Sequence, residues 1–300
     1  LGERALRWST SAALVVSVLI VLGGGVVRVT GSGLGCPAWP TCDGSSLAPI
    51  PELGIHGIIE FTNRTVTGLL IAAVGWAIIA IRLQRPWDRA LSRLSWSMFW
   101  LVVANAVAGG ITVLVKLNPW VVALHFVLAM ALLATATLTW HRARWRGARD
   151  SAAPSTARGI GWAVVIASAA LVVVGTIVSG AGPHSGDSRD VPRMAVDWTV
   201  VVWVHAGLAA VVIALAIASI VLAPSARRRG VTLLVVLLLQ GAVGGVQALT
   251  GLPELLVALH LLGAALVWVG AIRVLLDADP RLFALRAPVA DDQAARSLAR

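Results

Sequence analysis

The sequence predicts an all-α integral membrane protein whose eight transmembrane helices form two pseudo-symmetric four-helix bundles, related as a parallel repeat. Three observations predict it. Of 300 residues, 58% are hydrophobic and only 13% charged, too little polar material to cover water-soluble cores of that total size. Apolar runs of spanning length recur along the chain, and at about 20 apolar residues per helix roughly eight fit. The second half also repeats chemistry of the first.

The runs place helices near 8–28, 55–81, 94–115, 119–140, 160–179, 198–222, 231–250 and 254–276. The first reads as a true first span rather than a cleavable leader, because Leu14–Val27 lacks a cleavage site before Gly31-Ser32-Gly33. Alternate connections carry the arginines: Arg4 and Arg7; Arg82, Arg85, Arg89 and Arg93; Arg142, Arg144, Arg146, Arg149 and Arg158; Arg227, Arg228 and Arg229; then Arg281 onward. That side is expected to be cytoplasmic, with both termini on it. The other connections carry acids instead, among them Asp43, Glu52, Asp187, Asp190, Asp197 and Glu254. The net charge of +10 is thus a topology signal, and nucleic acid is excluded as a partner. Tyrosine is absent, which excludes phenolic or tyrosyl-radical chemistry. Among 13 tryptophans, Trp87, Trp96, Trp140, Trp145 and Trp162 gather toward the arginine-rich side and Trp39, Trp120, Trp198 and Trp203 toward the other, as interfacial belts do. The arginine, alanine and valine bias points to a bacterial chain and a bacterial cell membrane.

The repeat is gapless where it is strongest. One offset lays Gly109-Gly110 on Gly244-Gly245, Asn105 on Gln240, Leu114 on Leu249, Leu117 on Leu252 and Val122-Ala123-Leu124-His125 on Val257-Ala258-Leu259-His260. A second lays Val29-Thr30-Gly31-Ser32-Gly33 on Val178-Ser179-Gly180-Ala181-Gly182. Four helices per copy is an even number, so both copies keep one orientation, unlike an inverted-repeat transporter. The expected organisation is an N-terminal bundle over 1–150 with an external loop at 31–54, a C-terminal bundle over 151–278 and a cytoplasmic tail over 279–300. Cys36 and Cys42 lie together in that loop, where an oxidising compartment permits a disulfide; two free or metal-binding thiols are the alternative.

Ionisable groups inside spans need a partner, a cavity or a cofactor. His125 and His260 occupy matched positions in spans 4 and 8, and His205 lies at similar depth in span 6, all toward the outer end. Facing imidazoles inside a four-helix bundle suit a porphyrin, so His205 with His260 is a candidate bis-imidazole heme site. Aligning span 2 on span 6 puts Asn63 where the second bundle has His205, leaving the first site one imidazole short. His56, Glu60 and Asn63 follow at i, i+4 and i+7 on one helix face. Glu60 carries a carboxylate to membrane depth; a structural Glu60–Arg64 pair, or Arg64 meeting heme propionates, is the alternative. His141 and His184 read as solvated and are assigned to no site. The glycine pairs allow close approach of a helix or of a flat macrocycle.

These residues resemble heme A synthases. The matching segments are Gly24-Gly25-Val26-Val27-Arg28-Val29-Thr30-Gly31-Ser32-Gly33-Leu34, the Cys36, Pro37, Trp39-Pro40 and Cys42 loop, Glu60 with Arg64, Leu124-His125 and Leu259-His260. The resemblance implies an oxidoreductase that converts the C8 methyl of heme O to the formyl of heme A by successive hydroxylations. It implies a heme b cofactor ligated by His205 and His260 in the second bundle. In the first, His125 binds the iron of heme O, Glu60 is catalytic, and Asn63, His56, Arg64 and Arg28 join the substrate-binding set beneath a cap formed by the cysteine loop. Many family members carry Glu-x-x-His-Arg where this chain has Glu60-Phe61-Thr62-Asn63-Arg64. His56 lies two turns from Asn63, about 10 Å along the axis, and is expected to hold a secondary or gating position. The implied partners are heme O, a heme O synthase, an unidentified electron donor, the lipid bilayer and, as an open alternative, a second copy of this chain. A non-catalytic diheme b-type electron-transfer protein is the alternative function; a transporter is a weaker one, since no span is broken near its middle.

Overall fold

In a computed structural model the chain is described over residues 2–145, 153–184, 186–187 and 191–283. Arg146, Arg149, Asp190 and the tail from 284 onward lie outside the described residues. Eight long helices follow in order: α1 (Glu3–Val29), α2 (Gly54–Arg82), α3 (Arg89–Leu114), α4 (Pro119–Arg144), α5 (Ser155–Ala181), α6 (Trp198–Leu222), α7 (Arg227–Leu249) and α8 (Glu254–Ala278). Each is long and apolar enough to cross a membrane, so this is a multi-pass membrane protein. Among the described residues there is no strand, only an isolated bridge between Ser32 and Asp187.

Several helices run about a turn past the apolar runs that predict them, and they do so at the arginine-rich ends. Hydrophobicity marks the hydrocarbon, whereas caps set the end of a helix. Asp88 caps α3 by accepting from the Ala90 and Leu91 N–H groups, and Asn118 and Asp197 cap α4 and α6 at the opposite end.

Helices α1 to α4 pack in a closed ring, α1 on α2, α2 on α3, α3 on α4 and α4 on α1, and α5 to α8 close a ring in the same order. Between the rings α8 packs on α1 and α4, and α4 on α5. Lipid supplies no hydrophobic drive between helices, so close van der Waals packing of small residues must hold them together. The buried positions fit that requirement: Ala13, Ala73, Ala77 and Ala136 in the first ring, Ala157, Ala216, Ala223, Ala226, Ala271 and Ala278 in the second. Val21, Met130, Leu133 and Ala265 form the seam between rings, where the Trp268 indole N–H donates to the Met130 carbonyl at 2.9 Å. The outer faces remain apolar, with Leu69, Ile71, Ile166 and Leu239 all exposed.

The connections α3–α4 and α7–α8 turn in the same unusual way. Lys116-Leu117 and Gly251-Leu252 both have positive φ, and the Leu117 and Leu252 N–H groups donate back to the Thr112 and Gln247 carbonyls at 2.8 and 2.7 Å. A left-handed leucine costs about 1–2 kcal/mol. Leu117 offsets this by burying its side chain with Leu34, Val113 and Val191.

At the arginine-rich end, Arg142 grips Asp88 with Nε to Oδ2 at 2.8 Å and Nη2 to Oδ1 at 2.9 Å. Both side chains are buried. Burial alone would raise the Asp88 carboxyl, but the Arg142 hydrogen bonds, the Leu91 and Ala90 N–H groups and the Arg142 charge together hold it below the usual range. A depressed folded pKa means that this stabilisation is present above the unfolded value of about 3.9 and is lost as pH falls through the lower folded one. Asp88→Asn, which leaves Arg142 buried without its anion, is expected to cost about 3–5 kcal/mol. Thermal unfolding in detergent at neutral pH measures the loss, and the gap between wild type and variant narrows on acidification below pH 4.

His141 departs from expectation. It is buried rather than solvated, and its ring stacks on Trp145 with centroids 6.1 Å apart. Its neighbours Arg142 and Arg144 suggest solvent in sequence, but both turn inward to partners and carry that turn of α4 into the protein. His184 is half-buried.

Candidate functional site

The imidazoles of His205 on α6 and His260 on α8 face each other with ring centroids 6.3 Å apart and planes at 62°. Two in-line metal–imidazole bonds of about 2 Å would separate the centroids by roughly 6 Å, and rotation about the shared axis leaves the interplanar angle free. The spacing therefore fits an iron between the rings.

A repeated packing device sets each ring. His205 lies against Gly175 on α5, where a Cβ would stand 3.2 Å from its Cε1; His260 lies against Gly244 on α7 at 3.4 Å. In the first ring of helices His125 lies against Gly109 on α3 at 3.2 Å, and Asn63 Oδ1 against Gly23 on α1 at 2.5 Å. Each odd-numbered helix thus gives up a side chain so that the following helix can lay one polar group against its backbone. Three of these groups share a further property. The Nδ1 atoms of His125 and His260 and the Oδ1 of Asn63 are buried without a hydrogen-bond partner, whereas the His205 ring has the Leu171 carbonyl within reach. Buried polar atoms are ordinarily satisfied, and exceptions call for an explanation. Gly175→Leu is expected to push the His205 ring from its place and to abolish metal binding between the His205 and His260 rings, with helical circular dichroism unchanged.

The first ring differs in what covers it. The Cys36–Cys42 disulfide is formed, and both cysteines are fully buried. Glu60, 6% exposed, accepts from the Cys36 N–H through Oε2 and from Arg64 Nη2 through Oε1, each at 2.6 Å. Arg64 also donates to the carbonyls of Thr41, Cys36 and Ala38 at 2.8, 3.2 and 3.1 Å. One ion pair thereby ties α2 to both ends of the cysteine loop. Trp39 at the loop tip covers Gly110 of α3, where a Cβ would stand 2.5 Å from the indole. Gly35 presses against the backbone at His56 and Gly57, an approach any side chain would block.

His56 does not join Glu60 and Asn63. Its Nδ1 pairs with Ser32 Oγ at 2.9 Å, and Ser32 in turn with Thr30 Oγ1 at 2.8 Å. Arg28, half-buried at the end of α1, donates to the Ser179 carbonyl at 2.6 Å. A second segment missed by motif reading completes this end: the Gly33 N–H donates to the Gly186 carbonyl at 2.7 Å, and the Leu34 N–H to Asp187 Oδ2 at 3.0 Å. Gly186 and Asp187 of the α5–α6 connection thus bind the segment that follows α1. The connection's only sequence signal is an acidic, glycine-bearing stretch, which does not reveal its target. Gly23 and Gly175 were also missed, since a lone glycine in a span has many uses.

The sequence pattern of the cytochrome oxidase assembly protein family matches residues 7–56 and 51–272. The chain belongs to that family. Curated relatives of the chain are named heme A synthase. One from Staphylococcus saprophyticus is 32% identical over 126 residues, 42% of this chain and 41% of the relative. One from Lysinibacillus sphaericus is 32% identical over 139 residues, 45% and 44% of the two chains, and one from Staphylococcus aureus is 33% identical over 127 residues, 42% and 41%. Each match therefore spans less than half the length of the curated relative. The glycine, cysteine-loop, Glu60 and histidine segments all lie within the residues that the family pattern matches.

Proposed function

We propose that this protein is a heme A synthase that oxidises the C8 methyl of heme O to the formyl of heme A by successive hydroxylations. The observation that carries the reading is the asymmetry between the two rings of helices. In the second, His205 and His260 stand at the spacing of a bis-imidazole iron site. In the first, the sequence repeat sets Asn63 and His125 at the corresponding positions, and about one turn from Asn63 on α2 lies a buried carboxylate tied to a disulfide-closed loop. A closed six-coordinate heme suits electron transfer, whereas a substrate macrocycle needs a site that holds it without filling both axial positions.

His205 and His260 hold heme b, and that group, when bound, supplies one-electron transfer. The glycines behind the two rings fix their direction. On the substrate side His125 would hold the iron of the macrocycle, and Asn63 offers an uncharged amide at the position that His205 takes in the second ring. Glu60, its two oxygens occupied by the Cys36 N–H and Arg64, presents a compensated carboxylate that stabilises positive charge developing at the methyl. Arg64 and Arg28 supply cations for the propionates. Two hydroxylations, each a two-electron oxidation of the carbon that must draw on an oxidant outside this chain, such as dioxygen with an electron donor, would give a geminal diol, which loses water to the aldehyde. His56, engaged with Ser32, acts on the position of the covering loop. The outer face holds both sites, with both termini cytoplasmic; 1–150 and 151–278 serve as the substrate and cofactor halves.

Mass spectrometry of hemes extracted from membranes co-expressing this chain with an active heme O synthase tests the reading. Hydroxylated heme O and heme A are expected. Heme b with unmodified heme O alone, electron donors being present, would favour a diheme electron-transfer protein.

A further inference from the structure

A second polar site lies at the opposite, arginine-rich end of the bundle. A cavity of about 350 Å³ opens there, lined by Arg7 of α1, Trp140 and Arg144 of α4, Trp145 and Arg229 of α7. Arg273 of α8 adjoins it: its guanidinium lies 5.1 Å from the Trp140 ring, while that of Arg144 lies 4.4 Å from the same ring. Four helices from both halves thus bring four guanidinium groups to or beside one cavity, two of them over the Trp140 indole.

The cations are held in place. Arg144 donates to the Arg7 carbonyl at 3.0 Å, to Ser11 Oγ at 2.6 Å and to Thr10 Oγ1 at 3.3 Å. Arg229 is fixed by Asp277 at 3.2 Å. Among the described residues the carboxylates paired with these cations are Asp277, on Arg229, and Glu3, which reaches Arg7 at 3.9 Å with both side chains largely exposed. Like charges gathered at the helix ends repel one another unless an anion joins them, and basic pockets between transmembrane helices are suited to anionic lipid head groups. Guanidinium groups bind phosphate oxygens through paired N–H donors, and the tryptophans offer the apolar body that a glycerol backbone and the start of an acyl chain would lie against.

We infer that this cavity binds a phosphate monoanion, the head group of one anionic phospholipid from the adjacent leaflet, and that the lipid joins α1 and α4 to α7 and α8. The site is independent of the heme chemistry. Glycerol phosphate free in solution offers the same kind of phosphate oxygens, as a monoester of higher charge, so the test must separate the two sources.

Purified full-length protein, delipidated in neutral detergent, is titrated with phosphatidylglycerol, phosphatidylcholine or glycerol phosphate and read by native mass spectrometry. One phosphatidylglycerol retained per chain is expected, with at least tenfold preference over phosphatidylcholine and no displacement by millimolar glycerol phosphate. R229Q/R273Q is expected to weaken that binding at least tenfold, while R89Q/R93Q, which removes the same charge from exposed arginines of α3, leaves it unchanged. If the first double variant fails to assemble, Arg7→Gln replaces it, because the Arg7 side chain ties no two helices together. Equal binding of the two lipids, equal loss in both double variants, or displacement by glycerol phosphate would overturn the assignment.

Discussion

Glu60→Ala is expected to lower conversion of heme O to heme A by at least a hundredfold while leaving the b-type heme of the second ring in place. Two losses combine in that variant. The carboxylate that compensates charge near the substrate is gone, and the Cys36 N–H and Arg64 each lose a buried acceptor at 2.6 Å. A buried donor left unpaired costs about 1–3 kcal/mol, more when it is charged. The loop that closes the site should loosen as well, which faster proteolysis between Cys36 and Glu60 would report. Glu60→Gln separates the two effects. The amide oxygen still accepts from the Cys36 N–H, and Arg64, though it now faces an NH2, keeps its bonds to the Thr41, Cys36 and Ala38 carbonyls, so the loop loses one bond instead of two, while the amide cannot compensate positive charge. Low turnover with a protected loop is expected. Turnover near that of wild type in the Gln variant would assign Glu60 to loop closure alone.

His205→Ala and His260→Ala are each expected to remove nearly all tightly held heme b, read from the pyridine hemochrome of purified protein. Each ring rests against a glycine backbone, at Gly175 and Gly244. His260 Nδ1 has no protein partner and His205 has at most the Leu171 carbonyl, so truncation should cost little stability. Helical content and melting behaviour of the apoprotein should therefore stay near those of wild type, which distinguishes ligand loss from misfolding. Heme retained at full occupancy in both variants would place the cofactor elsewhere.

The eight spans were legible because bilayer thickness imposes one length on every helix and leaves little room for another reading. Their arginine-rich ends were not, since Asp88 and the inward-turned Arg142 and Arg144 extend helix beyond the apolar signal. His125, His205 and His260 stood out because an ionisable group in hydrocarbon is costly. The glycine opposite each was visible only at 109 and 244, where the repeat drew attention to it. Glu60 and Arg64 read equally as an i,i+4 pair and as chemistry; they do form the pair, and their remaining hydrogen bonds run to a loop whose position depends on tertiary contacts. The reach of Gly186 and Asp187 to Gly33 and Leu34 crosses the two halves and has no local pattern to betray it. His141 shows the opposite failure, in which charged neighbours suggested solvent but themselves found buried partners.

The division of labour between the two rings of helices is tested most directly by assaying His125→Ala and His260→Ala side by side, with heme b content and heme A output measured on the same membranes. The predicted result is that His125→Ala keeps about one heme b per chain and makes no heme A, whereas His260→Ala loses the heme b itself. Loss of heme b in His125→Ala together with its retention in His260→Ala would contradict the assignment of cofactor and substrate to their halves.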